Sequence, residues 1–408
     1  MGAPGQGGSR RTPFAFLVRP RGPWTRRAVT LVVTLVTLAT VPRALAGRHA
    51  HAWFDHDVAA QEGLAHGIVV RAKHARGPVL YRSGAPRFDG QSAVAFHQMA
   101  LLGFGQIVLA HPETRARHVA AMRAHAEAMV SSDVLAYSNV YYAPKALPAG
   151  ATSGHAYLGY VNMGLAMLRL VDPDHPLSKV NERMTEAFAR LLEASKTGLV
   201  ETYPNESWPP DVLAVAASVG LTDTVTRVLR GEPPKVDPSA RPWLEAWVKR
   251  FEACSVDPGS GLLQQRLASN ACKPVDAPRG SGTAVGSYFA SFVDTGLSRR
   301  LYDGLVRSAR RGAVGFAAMR EYAPGILGEG DTNAGPMVLG FSVGATGFAV
   351  GAAAANGDRD GFVSLVRTTR MFGAPMTLTD DSEVRTSFAM GGALGDALLF
   401  AMLTARSP

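Results

Sequence analysis

Cysteine is nearly absent from this chain, with only Cys254 and Cys272 in 408 residues. Also missing are the spacings that announce common chemistries. There is no zinc pattern, no P-loop, no GxGxxG after a strand, no GxSxG and no cysteine nucleophile beside a histidine motif. The first 46 positions hold no Asp, Glu or Lys, but seven arginines. Removing those seven from the net charge of +9 leaves +2 for the remainder. The body has no basic stripe and no aromatic-basic interleaving, which argues against nucleic acid as a partner. Charged residues make up only 18% and hydrophobic ones 47%, an ordinary globular balance with ample material for a core.

The basic leader reads as export machinery. Six arginines precede the apolar run AVTLVVTLVTLATV (28–41), and Ala44-Leu45-Ala46 before Gly47 forms a small-x-small cleavage pattern. Residues 1–46 are thus expected to be a signal peptide or a retained N-terminal membrane anchor, and the protein to be exported to a periplasmic or extracellular space. Membrane contact is expected only through this segment. Export favours pairing of Cys254 with Cys272, against the alternative of two buried free thiols. The following RHAHAWFDHD (48–57) collects His49, His51, His56, Asp55 and Asp57 and reads as a solvated tether, with no metal site expected. Residues 47–84 are taken as tether plus first helix, and 85–408 as one domain.

Apolar spacing of 3.6 residues predicts helices at 57–75, 90–110, 113–131, 154–171, 178–197, 209–220, 222–230, 239–253, 283–294, 297–311, 335–356, 359–372 and 388–405. Only VLYRS (79–83) and PMTLTD (375–380) suggest strands. Nearly uncharged helices alternate with amphipathic ones: 154–171 carries one charge and 336–355 none, whereas 178–196 and 359–370 carry several. This alternation predicts an all-α fold, an (α/α)6 barrel of six helical hairpins, with inner helices apolar on all sides. The run at 336–355 is read as a buried inner helix rather than a membrane span.

In such a ring, loops at one end of the inner helices surround a pocket. Four clusters stand there. YSNVYYAPK (137–145) with GHAYLGY (154–160) offers His155 for acid-base work and Tyr141, Tyr142, Tyr160 and Asn162 for binding. ETYPNESWPPD (201–211) offers Glu206, Tyr203 and Trp208. Its Asp211 is also accounted for as a first-turn acid after Pro209 and Pro210. PRGSGTAVGSYF (278–289) contributes Arg279. REYAPGILGEGDTNAGP (320–336) brings Glu321, Tyr322, Glu329, Asp331 and Asn333 before the uncharged helix. Glu206 and Asp331 are the expected acid-base pair, helped by His155, Tyr203 and Asp211.

GHAYLGY, YPNESWPPD, PRGSG, GEGDTNAGPMVLGFSVGATGFAVG (328–351) and GGALGDALLFAMLTA (391–405) occur in an order that resembles the linalool dehydratase/isomerase family over roughly residues 85–406. The resemblance implies an (α/α)6 barrel, no cofactor, and acid-base removal of a hydroxyl from a small alcohol, with His155 at the family histidine. The family's pair of cysteines has no counterpart in YPNESWPPDVLA. The expected function is therefore a lyase- or isomerase-like enzyme on a small-molecule substrate. The alternatives are a glycosidase or uronyl epimerase on the same toroid, and a non-catalytic binding or scaffold protein. Two carboxylates with Tyr141, Tyr142 and Trp208 as sugar platforms, and Arg279 for a uronate, support the carbohydrate reading.

Overall fold

The computed structural model describes residues 22–72, 86–134, 155–268, 271–331, 334–380 and 383–406. The chain divides into two units, Met1–Leu45 and Ala46–Pro408. The first holds all but the last residue of α1 (Pro23–Ala46), whose apolar side chains are exposed along its length. Three helices are long and apolar enough to cross a membrane; α1 is one, and the other two are largely buried inside the second unit.

The second unit is a closed double ring of helices. Its inner helices are α4 (Pro86–Ala110), α6 (His155–Val171), α8 (Pro209–Leu229), α10 (Gly280–Ala290), α12 (Val343–Ala355) and α14 (Gly392–Leu403). Each packs on the next, and α14 packs back on α4, which closes the circle. Outside them lie α3 (Val58–Ala72), α5 (Arg115–Met129), α7 (Pro176–Ala194), α9 (Leu244–Ser255), α11 (Thr295–Ser308) and α13 (Arg359–Gly373). The (α/α)6 barrel expected from the alternation is present.

Composition explains the two layers. Inner helices are buried on all faces, so small residues set their spacing: a side chain on Gly159 would meet the Val215 backbone at 2.9 Å. Outer helices show water one face, and their starts are capped at the inner-to-outer turns. His175, Asp294 and Asp358 accept from Leu177, Leu297 and Gly361 backbone N–H groups.

Several boundaries differ from expectation. The segments 209–220 and 222–230 form one helix, because Gly220 admits the neighbouring backbone rather than ending the turn; a side chain there would lie 2.3 Å from the Phe292 carbonyl oxygen. The helix expected at 335–356 begins only at Val343. Before it, β5 (Met337–Val338) and β6 (Phe341–Ser342) form a hairpin turning through Leu339 and Gly340, both at positive φ. A similar turn, Val314-Gly315, joins β3 (Arg310–Ala313) to β4 (Phe316–Met319). PMTLTD is β7 (Pro375–Asp380), paired with β8 (Glu383–Phe388). β1 (Glu206–Ser207) pairs with β2 (Leu267–Ala268). VLYRS lies outside the described residues.

The tether reading of 48–57 is also revised. Here α2 (Ala50–Phe54) docks on α13: Trp53 is buried under the Arg370 guanidinium, and Arg359 pairs with Asp55 at 2.6 Å. His56 reaches Gln61, and Asp57 holds the start of α3. Burying Trp53 and Phe54 outweighs solvation of the flanking histidines.

The Cys254–Cys272 disulfide is present and closes an 18-residue separation. It ties the last turn of α9 to the loop that carries β2. Replacing both cysteines by serine is expected to cost about 3 kcal/mol of stability, the loop-entropy value for that length. Denaturant unfolding of the oxidised protein and the double variant measures it, and coincident midpoints would refute it.

Candidate functional site

The six inner helices run in one direction, so their N-termini gather at one end, with the partial positive charge that unpaired N–H groups carry there. A cavity of about 140 Å³ opens between them, lined by residues from all six. Below it the barrel is shut. Tyr288 of α10 donates to Gln106 Oε1 on the opposite helix α4 at 3.0 Å, and Gln106 Nε2 donates to the Ala401 carbonyl at 2.9 Å. Phe104 and Phe400 meet edge to face at 5.1 Å where α4 packs on α14.

Asp211 is the carboxylate on the cavity wall. It is 5% exposed and accepts a 2.6 Å hydrogen bond from the Tyr160 hydroxyl. Burial and then the Asp211 charge push the Tyr160 phenol well above its usual range, so it stays a neutral donor. The helix start that the prolines dictate puts Asp211 one turn into the barrel, where α6 meets it. Its place in the first turn suits the helix start, and the same residue also faces the cavity.

Glu206 lies outside the cavity lining. Its Oε1 pairs with Arg266 at 2.6 Å and its Oε2 accepts from the Trp208 indole at 2.9 Å. Arg266 in turn holds Asp276 at 3.0 Å. Glu206 thus fixes the indole plane, and Trp208 itself faces the cavity. Tyr203 is buried behind Trp208, edge to face at 5.8 Å. The role of this loop is to hold an aromatic wall.

On the far side, Asp331 pairs with Arg279 at 2.7 Å and accepts from the Ala334 N–H at 2.8 Å. Gln265, which lines the cavity, reaches Asp331 at 3.5 Å, so the ion pair sits behind the wall. The Arg279 guanidinium lies 5.5 Å over the Tyr322 ring, whose hydroxyl donates to the Glu329 carbonyl. Asn162 is fully buried in a network with Thr185, Ser218 and Asn181 that joins α6, α7 and α8, away from the cavity. His155 is the first residue of α6. Tyr141, Tyr142 and Asn333 lie outside the described residues. Of the pair expected to share acid-base work, Glu206 and Asp331 are therefore each held by an arginine away from the lining.

Sequence reasoning named Glu321 but passed over it. It is fully buried, and its Oε1 accepts from Ser281 at 2.6 Å. Burial holds this carboxyl above the usual range, and Asp331 raises it further, against the lowering effect of its hydrogen bonds and Arg279. Ser281 lines the cavity, so Glu321 borders it through one hydroxyl. Gln91, Ser92 and Gln265 were also missed; an uncharged amide or hydroxyl, on a helix or in a loop, gives little signal in sequence. Among the described residues no group of three His, Cys, Asp or Glu side chains is placed to hold a metal.

No protein-family model matches this chain, and no curated protein does. Among solved structures it is similar to an inactive variant of the alpha-1,6-mannanase GH76A of Salegentibacter sp. HEL1_6 in complex with alpha-1,6-mannotriose. That likeness has 10% identity and a TM-score of 0.46, over 76% of this chain and 89% of that one. A second inactive variant, with alpha-1,6-mannotetrose, gives 12% and 0.43 over 76% and 87%. A family 76 glycoside hydrolase from a bovine Bacteroides thetaiotaomicron strain gives 8% and 0.43 over 76% and 68%. Likenesses this distant carry nothing about chemistry. The resemblance to the linalool dehydratase/isomerase family is nevertheless corrected: no family model matches, and the similar structures named here are family 76 glycosidases.

Proposed function

We propose that the axial cavity is the substrate site of a carbohydrate-active acid-base enzyme. The observation that carries this is one carboxylate on the cavity wall and a second, buried carboxyl joined to that wall through a single hydroxyl. Asp211 sits on the wall at a helix start, bonded to a neutral phenol. Glu321 is buried, biased toward its protonated form and linked to the cavity by Ser281. Such a division of settings assigns one group as base and the other as acid. In hydrolysis, the 2.6 Å contact reverses: protonated Glu321 donates to the Ser281 oxygen while the Ser281 proton goes to the leaving oxygen as the C–O bond breaks. Water adds to the carbon and gives its proton to Asp211.

The lining supports a sugar over a terpenoid alcohol. Trp208, Phe289 and Phe348 offer aromatic faces, while Gln91, Tyr160, Gln265 and Ser281 offer hydrogen bonds. A sugar ring has one apolar face and a polar rim, and matches both. The lyase or isomerase reading sets most of that polar lining against an apolar substrate chain. The disulfide suits an exported protein, and α1 serves in this reading as export segment or anchor.

The test is binding followed by turnover. Full-length protein is titrated by calorimetry with neutral oligosaccharides, alpha-1,6-mannotriose among them, with uronate-containing oligosaccharides, and with an acyclic monoterpene alcohol. Saccharide binding with slow release of a reducing end is expected. Binding of the terpenoid alone would overturn the reading, and a saccharide bound but never cleaved would leave a binding protein.

A further inference from the structure

We propose that the open end of the barrel is a docking surface for a lipid bilayer. Among the described residues of the second unit, twelve large apolar side chains are exposed. All twelve lie on connections from an outer helix to the next inner one, or in the helix turns beside them; that is the end where the cavity opens. The turns at the closed end carry none. Chance exposure of single hydrophobics is normal, but their collection at one end marks an interaction surface.

The hairpin tips sharpen the point. A two-residue turn with both φ positive ordinarily carries Asn-Gly or Asp-Gly. Here the first positions are Val314 and Leu339, at φ 51 and 53, and they are 60% and 88% exposed. Leu327, 98% exposed, lies between those two hairpins in the chain. A second group, Met371, Phe372 and Met390, stands where α13 ends; the Met390 N–H donates to the Gly373 carbonyl, which joins them into one patch. In water this arrangement is costly, and contact with acyl chains removes the cost.

The position of the chain's N-terminal side selects a bilayer over other apolar partners. Arg370, in the last turn of α13, donates to the Arg48 carbonyl at 2.7 Å, so residue 48 lies beside Met371 and Phe372 at this same end. Two residues earlier ends α1, which is long and apolar enough to cross a membrane. A membrane-held α1 leaves Arg48 at the lipid surface by chain continuity, and the patch with it. Arg48 is exposed there and supplies a positive charge for lipid phosphates at the level of the headgroups. The proposal is independent of what the cavity binds.

Nitroxide labels on single added cysteines test it, using the full chain in vesicles of phosphatidylethanolamine and phosphatidylglycerol. Leu339→Cys and Phe372→Cys report the open end, and Ala240→Cys, exposed on the α8–α9 connection, reports the closed end. The ratio of oxygen to nickel-chelate accessibility is expected to be several-fold higher at 339 and 372 than at 240. An aqueous ratio at both open-end positions would overturn the proposal. So would dipolar broadening between labels of different molecules, which would assign the surface to a second copy of the chain. Preserved circular dichroism of each labelled protein guards against misfolding.

Discussion

Asp211→Asn is expected to lower turnover of a cavity-bound saccharide by about a thousandfold, within the range that a positioned acid-base group contributes. That corresponds to about 4 kcal/mol of transition-state stabilisation. The substitution keeps an oxygen to accept the 2.6 Å bond from Tyr160, so the inner ring is preserved. Asp211→Ala would instead leave a buried hydroxyl without its acceptor and confuse lost chemistry with about 1–3 kcal/mol of lost stability. Glu321→Gln supplies the second half of the test. An acid must be protonated to act, so activity falls as pH rises through its pKa; because burial raises that pKa, the falling limb lies above the ordinary carboxylate range. In Glu321→Gln the limb disappears along with most of the rate. Full activity in Asp211→Asn would return that residue to the plain helix-start role its sequence context suggests.

Acid should unfold this protein from inside. His97 of α4 and His125 of α5 face each other, Nδ1 to Nδ1, at 3.0 Å between walls made by Phe96 and Phe104. Burial pushes His97 down to about 4; burial, with the neighbouring His97, pushes His125 down to about 3. Both are neutral when folded, whereas the unfolded chain takes up their protons below about pH 6.5. The unfolded state binds more protons across that window, so stability is fully present above pH 6.5 and is lost as pH falls toward 4. The loss is on the order of 3 kcal/mol for His97 alone. Denaturant titrations at pH 7.5, 6 and 5, compared with a His97→Gln/His125→Gln double variant, isolate the pair. Equal pH dependence in both proteins would contradict the account.

The barrel was legible in the sequence because its cause is local. Charge-free helices alternating with one-faced helices say which layer each occupies, and Pro173, Pro176 and Asn356-Gly357-Asp358 mark where the chain turns. The site was less legible because its partners are distant. Glu206 looked unexplained only because Arg266 stands sixty residues away. Asp211 looked explained because a helix start suffices locally, while Tyr160 approaches from another helix. Asp331 drew attention over Glu321 by standing among turn glycines, yet burial, which no spacing reveals, separates the two. Asn162 reads as a pocket amide in sequence and proves to be one knot in a buried polar seam.

The Tyr288–Gln106 bond also has a bearing on access, because it spans the ring between opposite inner helices. It makes the ring a cup rather than a tunnel. Whatever enters the cavity must leave by the opening through which it came.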